Sequence, residues 1–200
     1  RSCSRWNCSA SSNRHHRIRG SATMKRSLAL SRVYQLLEPG PVVLLTTARD
    51  GRSNVMAMSW LTMLEFAPPL VGCVVSNRNA SFATLKATQE CVINIPTDDL
   101  ATQVVGIGNT SGRDIDKFAT FGLTRQKASN VTAPRIAECY ANLECRVVDT
   151  RMVTAYNFFV LEVVKAWLDR SCAHPRTLHH QGWGTFGITG ETITLPSAMP

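Results

Sequence analysis

Residues Pro41 to Val75, PVVLLTTARDGRSNVMAMSWLTMLEFAPPLVGCVV, constrain the fold more than any other stretch of the chain. Val42 to Thr47 is apolar and β-branched, a composition that packs well on a pleated, half-buried surface. Asp50-Gly51 follows, the dipeptide favoured where a two-residue hairpin turn needs positive φ at both central positions. Asn54 to Trp60 then alternates. A strand there puts Asn54, Met56, Met58 and Trp60 on one face and Val55, Ala57 and Ser59 on the other. Pro68-Pro69 forbids helix and cannot sit in a central ladder, so the spacing predicts a loop before it and a strand over Leu70 to Val75. A strand face made of Asn, two Met and Trp suits a flat, partly polar body lying against it.

The remaining punctuation predicts a mainly β chain with helices inserted between strands. Ser31 to Leu37 suits a short helix broken by Pro39-Gly40-Pro41, and Asn79 to Thr88 a helix with Asn79 as its N-cap. Glu90 to Ile95 is a strand ended by Pro96. Thr97-Asp98-Asp99 caps a helix from Leu100 to Val105 or a little beyond, and Gly106 to Gly112 is loop. Asp114 to Phe121 is a short helix stopped by Gly122. Glu138 to Thr150 and Tyr156 to Trp167 are strand-like, Pro175 to Gly184 is loop, and Thr185–Ile188 pairs with Thr192–Leu195 around Gly190. Closely spaced strands favour a closed or nearly closed antiparallel barrel over a parallel α/β sheet.

Composition bounds the function classes. Two hundred residues suit one domain. The net charge of +8 is concentrated at the start: of 22 basic residues five lie in 1–23, which holds no acid, leaving 17 against 14 acidic residues from Met24 onward. No stripe of basic residues interleaved with aromatics argues for a nucleic acid partner. Residues 1–23 lack the apolar run of a secretory signal. They fit a vector-derived or read-through extension ahead of a start at Met24, with an Arg- and Ser-rich transit peptide as the alternative, and the domain then spans 24–200. The seven cysteines are odd in number and contain no CxxC pair, which fits reduced thiols in a cytoplasmic protein. No apolar run approaches the ~20 residues of a membrane helix.

Three segments carry candidate chemistry. Gly106-Ile107-Gly108 with Gly112 is spaced GxGxxxG and follows a helix, so it does not match the dinucleotide fingerprint, which follows a strand. Ser76 to Thr84, SNRNASFAT, leaves a strand and opens a helix, where backbone amides, hydroxyls and Arg78 together form an anion cradle; a capped surface helix is the plainer alternative. Ser111 to Phe118, SGRDIDKF, is dense in charge. It is either a solvated helix start with Asp114 and Asp116 on the positive end of the dipole, or a device that points Lys117 at a developing negative charge. His174, His179 and His180 lack metal-ligand spacing, so no metal is expected. GxSxG is absent, and a hydrolase elbow gains no support.

Taken in order, PGPVVLLTT, DGRSNVMAMSW, FAPPLVGCVV, NRNASFATL, CVINIP, SGRDIDKF, NLECRV, YNFFVLEVVKAW and LHHQGWGTFGITGETITL resemble the flavin reductase-like, FMN-binding split-barrel family, in particular its flavoredoxin-type branch. The resemblance spans about Leu36 to Leu195. It implies a six-stranded antiparallel Greek-key barrel, a homodimer, and one FMN per subunit near the dimer interface. By the same resemblance Asn54, Met56, Ala57, Met58, Ser59 and Trp60 would line the isoalloxazine, with Asn54 and Trp60 nearest it. Ser76, Arg78, Ser81 and Thr84 would hold the phosphate and ribityl end, Lys117 would approach the ring, and Phe186 would close over its edge. The resemblance makes Lys117 and Tyr156 the catalytic candidates; Tyr156 stands where many relatives have His, so the acid/base role of that His does not carry over to it directly. The implied chemistry is hydride transfer from NADH or NADPH to flavin N5, then onward delivery to an acceptor; the cofactor carries the hard step and the protein supplies position and electrostatics. Two alternatives stay open: an electron-transfer flavoprotein fed by a protein partner, and a non-catalytic flavin-binding module.

Overall fold

A computed structural model describes residues 25–37 and 40–196, so the reading of 1–23 as an extension lies outside the described residues. The elements in chain order are β1 (Arg26–Leu28), α1 (Tyr34–Leu37), β2 (Val43–Arg49), β3 (Arg52–Met58), β4 (Leu61–Phe66) and β5 (Pro69–Val74). There follow α2 (Ala80–Thr88), β6 (Glu90–Ile95), α3 (Ala101–Asn109), α4 (Lys117–Thr120), β7 (Arg125–Gln126) and β8 (Arg135–Ile136). The chain continues through β9 (Ala141–Asp149), α5 (Val153–Tyr156), β10 (Phe158–Leu168), β11 (Leu178–Gly182) and β12 (Thr185–Ile188). Among the described residues no helix is long and apolar enough to cross a membrane.

The main sheet runs β3-β2-β6-β9-β10-β5-β4, with β1 added beside β10, and every pairing is antiparallel. Strands β2, β3, β5, β6, β9 and β10 are the six of the expected split barrel; β4 and β1 enlarge it to eight. The path ends at β3 and β4, so the barrel is split there, and among the described residues β3 pairs with β2 alone. The period of two along β2 divides the core. Val43 and Leu45 face the barrel interior with Met58, Ile93, Leu143, Leu161 and Val163. Val42 and Leu44 face outward, where Val55, Val104, Ile107 and Phe118 join them beneath α3 and α4. Each fully buried aliphatic side chain stabilises this arrangement by about 1.5–3 kcal/mol relative to exposure.

Asp50 and Gly51 take φ of 52° and 74°, the positive pair that the hairpin requires. Other expectations need correction. Leu61–Phe66 is strand β4, because Pro68-Pro69 closes a hairpin from β4 to β5, with Pro69 opposite Phe66 at its end. Gly106 and Gly108 lie within α3, which continues to Asn109. The glycine at 106 gives the Phe121 ring room: a Cβ there would overlap it. Leu178–Gly182 is strand β11 and pairs with β12, so the last hairpin turns at Trp183-Gly184 and residues 192–195 form no strand. Asn79 and Thr97 occupy N-cap positions without side-chain cap bonds, whereas Asp116 does cap α4, accepting from the Phe118 and Ala119 amides.

Candidate functional site

Asn54 sits midway along the edge strand β3, and its Nδ2 donates to Ser81 Oγ at 2.9 Å. Ser81 is fully buried in the first turn of α2. This one bond ties the open edge of β3 to the start of a nine-residue helix, whose leading amides and dipole favour an anion. The turn into the helix is set by Ser76, whose Oγ accepts from the Arg78 amide at 3.3 Å. Arg113 reaches across from the 111–114 loop, and its Nη1 donates to the Arg78 carbonyl at 3.0 Å. Gly112 lies against the Asn54 carboxamide so closely that any Cβ would overlap it.

These segments border a cavity of about 650 Å³. Its lining includes Asn54, Thr84 and Gly112 together with four arginines, Arg49, Arg52, Arg113 and Arg125, and two aspartates, Asp50 and Asp116. Arg125 is held in place three ways: Nε donates to Ser53 Oγ at 2.8 Å, Nη2 to Asp116 at 2.7 Å, and the guanidinium covers the Phe118 ring at 4.2 Å. Desolvation works against the Asp116 carboxylate, but the Arg125 guanidinium and two helix amides outweigh it and hold its pKa below the usual carboxylate value. Thr47, also on the lining, carries a buried hydroxyl that has no hydrogen-bond partner among the described residues. A buried unsatisfied hydroxyl costs about 1–3 kcal/mol, so one facing a cavity invites a ligand oxygen.

Beyond Asn54, β3 runs toward Ser59 and Trp60. The six steps from Asn54 to Trp60 span roughly 20 Å. Met58 is buried in the barrel core and Met56 packs against it, while Val55 and Ala57 serve the outer cluster. What this strand offers a ligand is therefore its free backbone edge, with Asn54 and Trp60 as side chains at either end. Trp60 is 71% exposed, and its carbonyl accepts from the Val74 amide. The Val75 amide in turn donates to the Asn157 carbonyl, which brings Trp60, Ser76 and the exposed Tyr156 to one end of the sheet.

The other expected residues fall elsewhere. Lys117 is 4% exposed and does not line the cavity, donating to the Ile107 carbonyl at 2.8 Å; desolvation lowers its pKa. Phe186 packs on the outer cluster and against His180 at 5.4 Å. The guanidinium of Arg78 is exposed and has no hydrogen bond or ion pair among the described residues, and its carbonyl accepts from Arg113. Sequence reasoning missed Arg49, Arg52, Gly112, Arg113, Asp116 and Arg125 as cavity residues. The RDGR run across the hairpin turn is a signal for the first two, since it sets like charges opposite each other; Arg125 stands in a polar stretch with no signal.

The cavity, the cradle and the open strand edge fit a phosphorylated planar cofactor such as FMN: an amide-rich helix start for the phosphate, an orphaned hydroxyl for a polyol chain, and an unpaired backbone edge for a heterocycle. A family model described as flavin reductase-like domain matches residues 36–186. An Escherichia coli (strain K12) protein of unassigned function, YddH, is 32% identical over 181 residues, covering 84% of this chain and 96% of that protein. The FMN-binding domain of a flavin reductases-like enzyme from Shewanella baltica OS155 superposes with a TM-score of 0.83 at 26% identity, covering 88% of this chain and all of that one. Flavoredoxin of Desulfovibrio vulgaris (Miyazaki F) shares the fold at TM-score 0.71 and 21% identity, covering 90% and 96% of the two chains. The split barrel, its cradle and the match over most of its length place this chain in the flavin reductase-like family.

Proposed function

We propose that the protein binds FMN along β3 and acts as an oxidoreductase, taking electrons from NADH or NADPH and delivering them to a flavin or another acceptor. The observation that carries this reading is the Asn54–Ser81 bond, which joins the free edge of β3 to the anion-binding start of α2 in a chain of this family. FMN, when bound, supplies a ring that accepts a hydride and passes electrons on singly or in pairs. The residues of this chain hold and orient it. The α2 amides, Ser81, Thr84 and Arg113 would take the phosphate, Thr47 the ribityl chain, and the β3 backbone from Met56 to Ser59 the polar ring edge. Trp60 would flank the ring, with Tyr156 at the same end of the sheet. Lys117 would act through its charge from α4, which packs on β3, and not by contact. A nicotinamide laid over the exposed flavin face needs no Rossmann unit.

We assign the second copy of a homodimer to the β4 edge, where Leu64 and Phe66 are exposed. Sedimentation equilibrium at micromolar protein should give twice the chain mass, and a monomer would remove that assignment. Turnover is tested by following NADH and NADPH oxidation with and without added FMN. Oxidation of either nucleotide that depends on flavin supports the reductase. If neither is oxidised although FMN stays bound, the protein is an electron carrier fed by a protein partner and the reductase reading fails.

A further inference from the structure

We infer that the hairpin wall of the cavity is a second phosphate site, distinct from the cradle at α2, which takes the 2′-phosphate of NADPH and selects it over NADH. The inference rests on the reductase reading above, and its own basis is the arrangement of arginines. Arg49 and Arg52 are register partners across the Asp50-Gly51 turn. Like charges directly opposite destabilise a strand pair, so the hairpin carries a repulsion that an anion between the two guanidinium groups would relieve. Asp50 answers only Arg49, at 3.3 Å. Asp116 is engaged by Arg125. Both aspartates of the lining are thus already paired, and the Arg52 guanidinium has no hydrogen bond or ion pair among the described residues.

The charge excess is divided between two walls. Arg113 belongs to the α2 side, tied to the Arg78 carbonyl, where a flavin phosphate would sit. Arg52 belongs to the hairpin side, next to Ser53, which anchors the rigidly held Arg125. One phosphate on the cradle leaves the hairpin wall unmatched. A phosphomonoester suits that wall: it is dianionic near neutral pH and presents three oxygens to planar guanidinium forks. A dinucleotide whose nicotinamide meets the flavin toward Trp60 runs back along the roughly 20 Å of β3. Its adenosine end then reaches the hairpin, and NADPH differs from NADH by a phosphomonoester on that end.

Calorimetric titration of the FMN-loaded protein with adenosine 2′,5′-bisphosphate and with 5′-AMP tests the site without turnover. The bisphosphate should bind at least about tenfold more tightly, the effect of one charge-assisted hydrogen bond. Arg52→Ala should erase that difference, Arg52→Lys should keep part of it, and the flavin absorbance of both variants should match the parent. Equal binding of the two nucleotides, or an unchanged difference in Arg52→Ala, overturns the proposal. FAD in place of FMN supplies the control: if Arg52→Ala weakens FAD and leaves the bisphosphate untouched, the wall serves the flavin's own adenylate and the proposal falls. In the turnover assay the NADPH to NADH ratio of kcat/KM should drop about tenfold or more in Arg52→Ala. Selective bisphosphate binding without oxidation of either nucleotide would defeat the reductase reading and leave the phosphate site standing. Oxidation of both with no discrimination would do the reverse.

Discussion

At the scale of single residues the account turns on the contact between Gly112 and Asn54. Gly112 is not at a positive φ, so its role is space: the Asn54 carboxamide occupies the volume a Cβ would need. Gly112→Ala should push Asn54 off Ser81 and weaken FMN binding about tenfold, while the urea midpoint of the half-buried site moves little. Asn54→Ala should give the same loss by removing the donor directly. Equal FMN affinity in both variants and the parent, read by fluorescence quenching, would detach this pair from the cofactor. Ser81 and Thr84 were legible as cradle candidates because their motif opens a helix after a strand, and Asn54 from the polar place it takes in the alternation of β3. Gly112 was not, because nothing in a one-dimensional pattern shows that residue 112 lies on residue 54.

At the scale of elements the barrel strands carry three thiols inward. Cys73 on β5 and the directly opposed Cys91 and Cys145 of β6 and β9 are fully buried, and Cys139 is buried just ahead of β9. Burial pushes the Cys73 and Cys139 thiols up to about 12 from 9.0 and the Tyr140 phenol up to about 12 from 10.0. These groups stay protonated in the fold while the unfolded chain ionises, so their contribution is intact below pH 9 and is lost as pH rises toward 12. Lys25 opposes them. Burial lowers it to about 8 from 10.5, and stability recovers through that window as the unfolded chain loses the same proton. The thiols outnumber it, so urea midpoints should fall between about pH 9 and pH 11. A midpoint that holds or climbs over that range would contradict the burial of these thiols. The strands carrying them were legible from their β-branched runs. β4 was not, since Pro68-Pro69 hides a hairpin, and α3 was cut short because Gly106 and Gly108 suggest a loop until Phe121 is seen packing against the helix.

At the scale of the whole molecule, strand order is what creates the site. The path ends at β3, which leaves a strand edge unpaired beside the start of α2, and the 111–125 segment closes the far wall. The ordered run of motifs made the barrel legible from the sequence; the arginine-lined cavity was not, because its members come from four separate segments. Asp116 and Ile115 line the cavity while the ammonium of Lys117, between α4 and α3, is held by the Ile107 carbonyl, a placement that only the packing of the two helices reveals. Held flavin is the central claim, and the absorbance spectrum of the desalted protein, followed by titration with FMN, tests it most directly. The account predicts either a flavin spectrum as purified or stoichiometric uptake of one FMN per chain, with a perturbed band that Trp60→Ala shifts. A colourless protein that leaves FMN fluorescence unchanged at micromolar concentrations would contradict it.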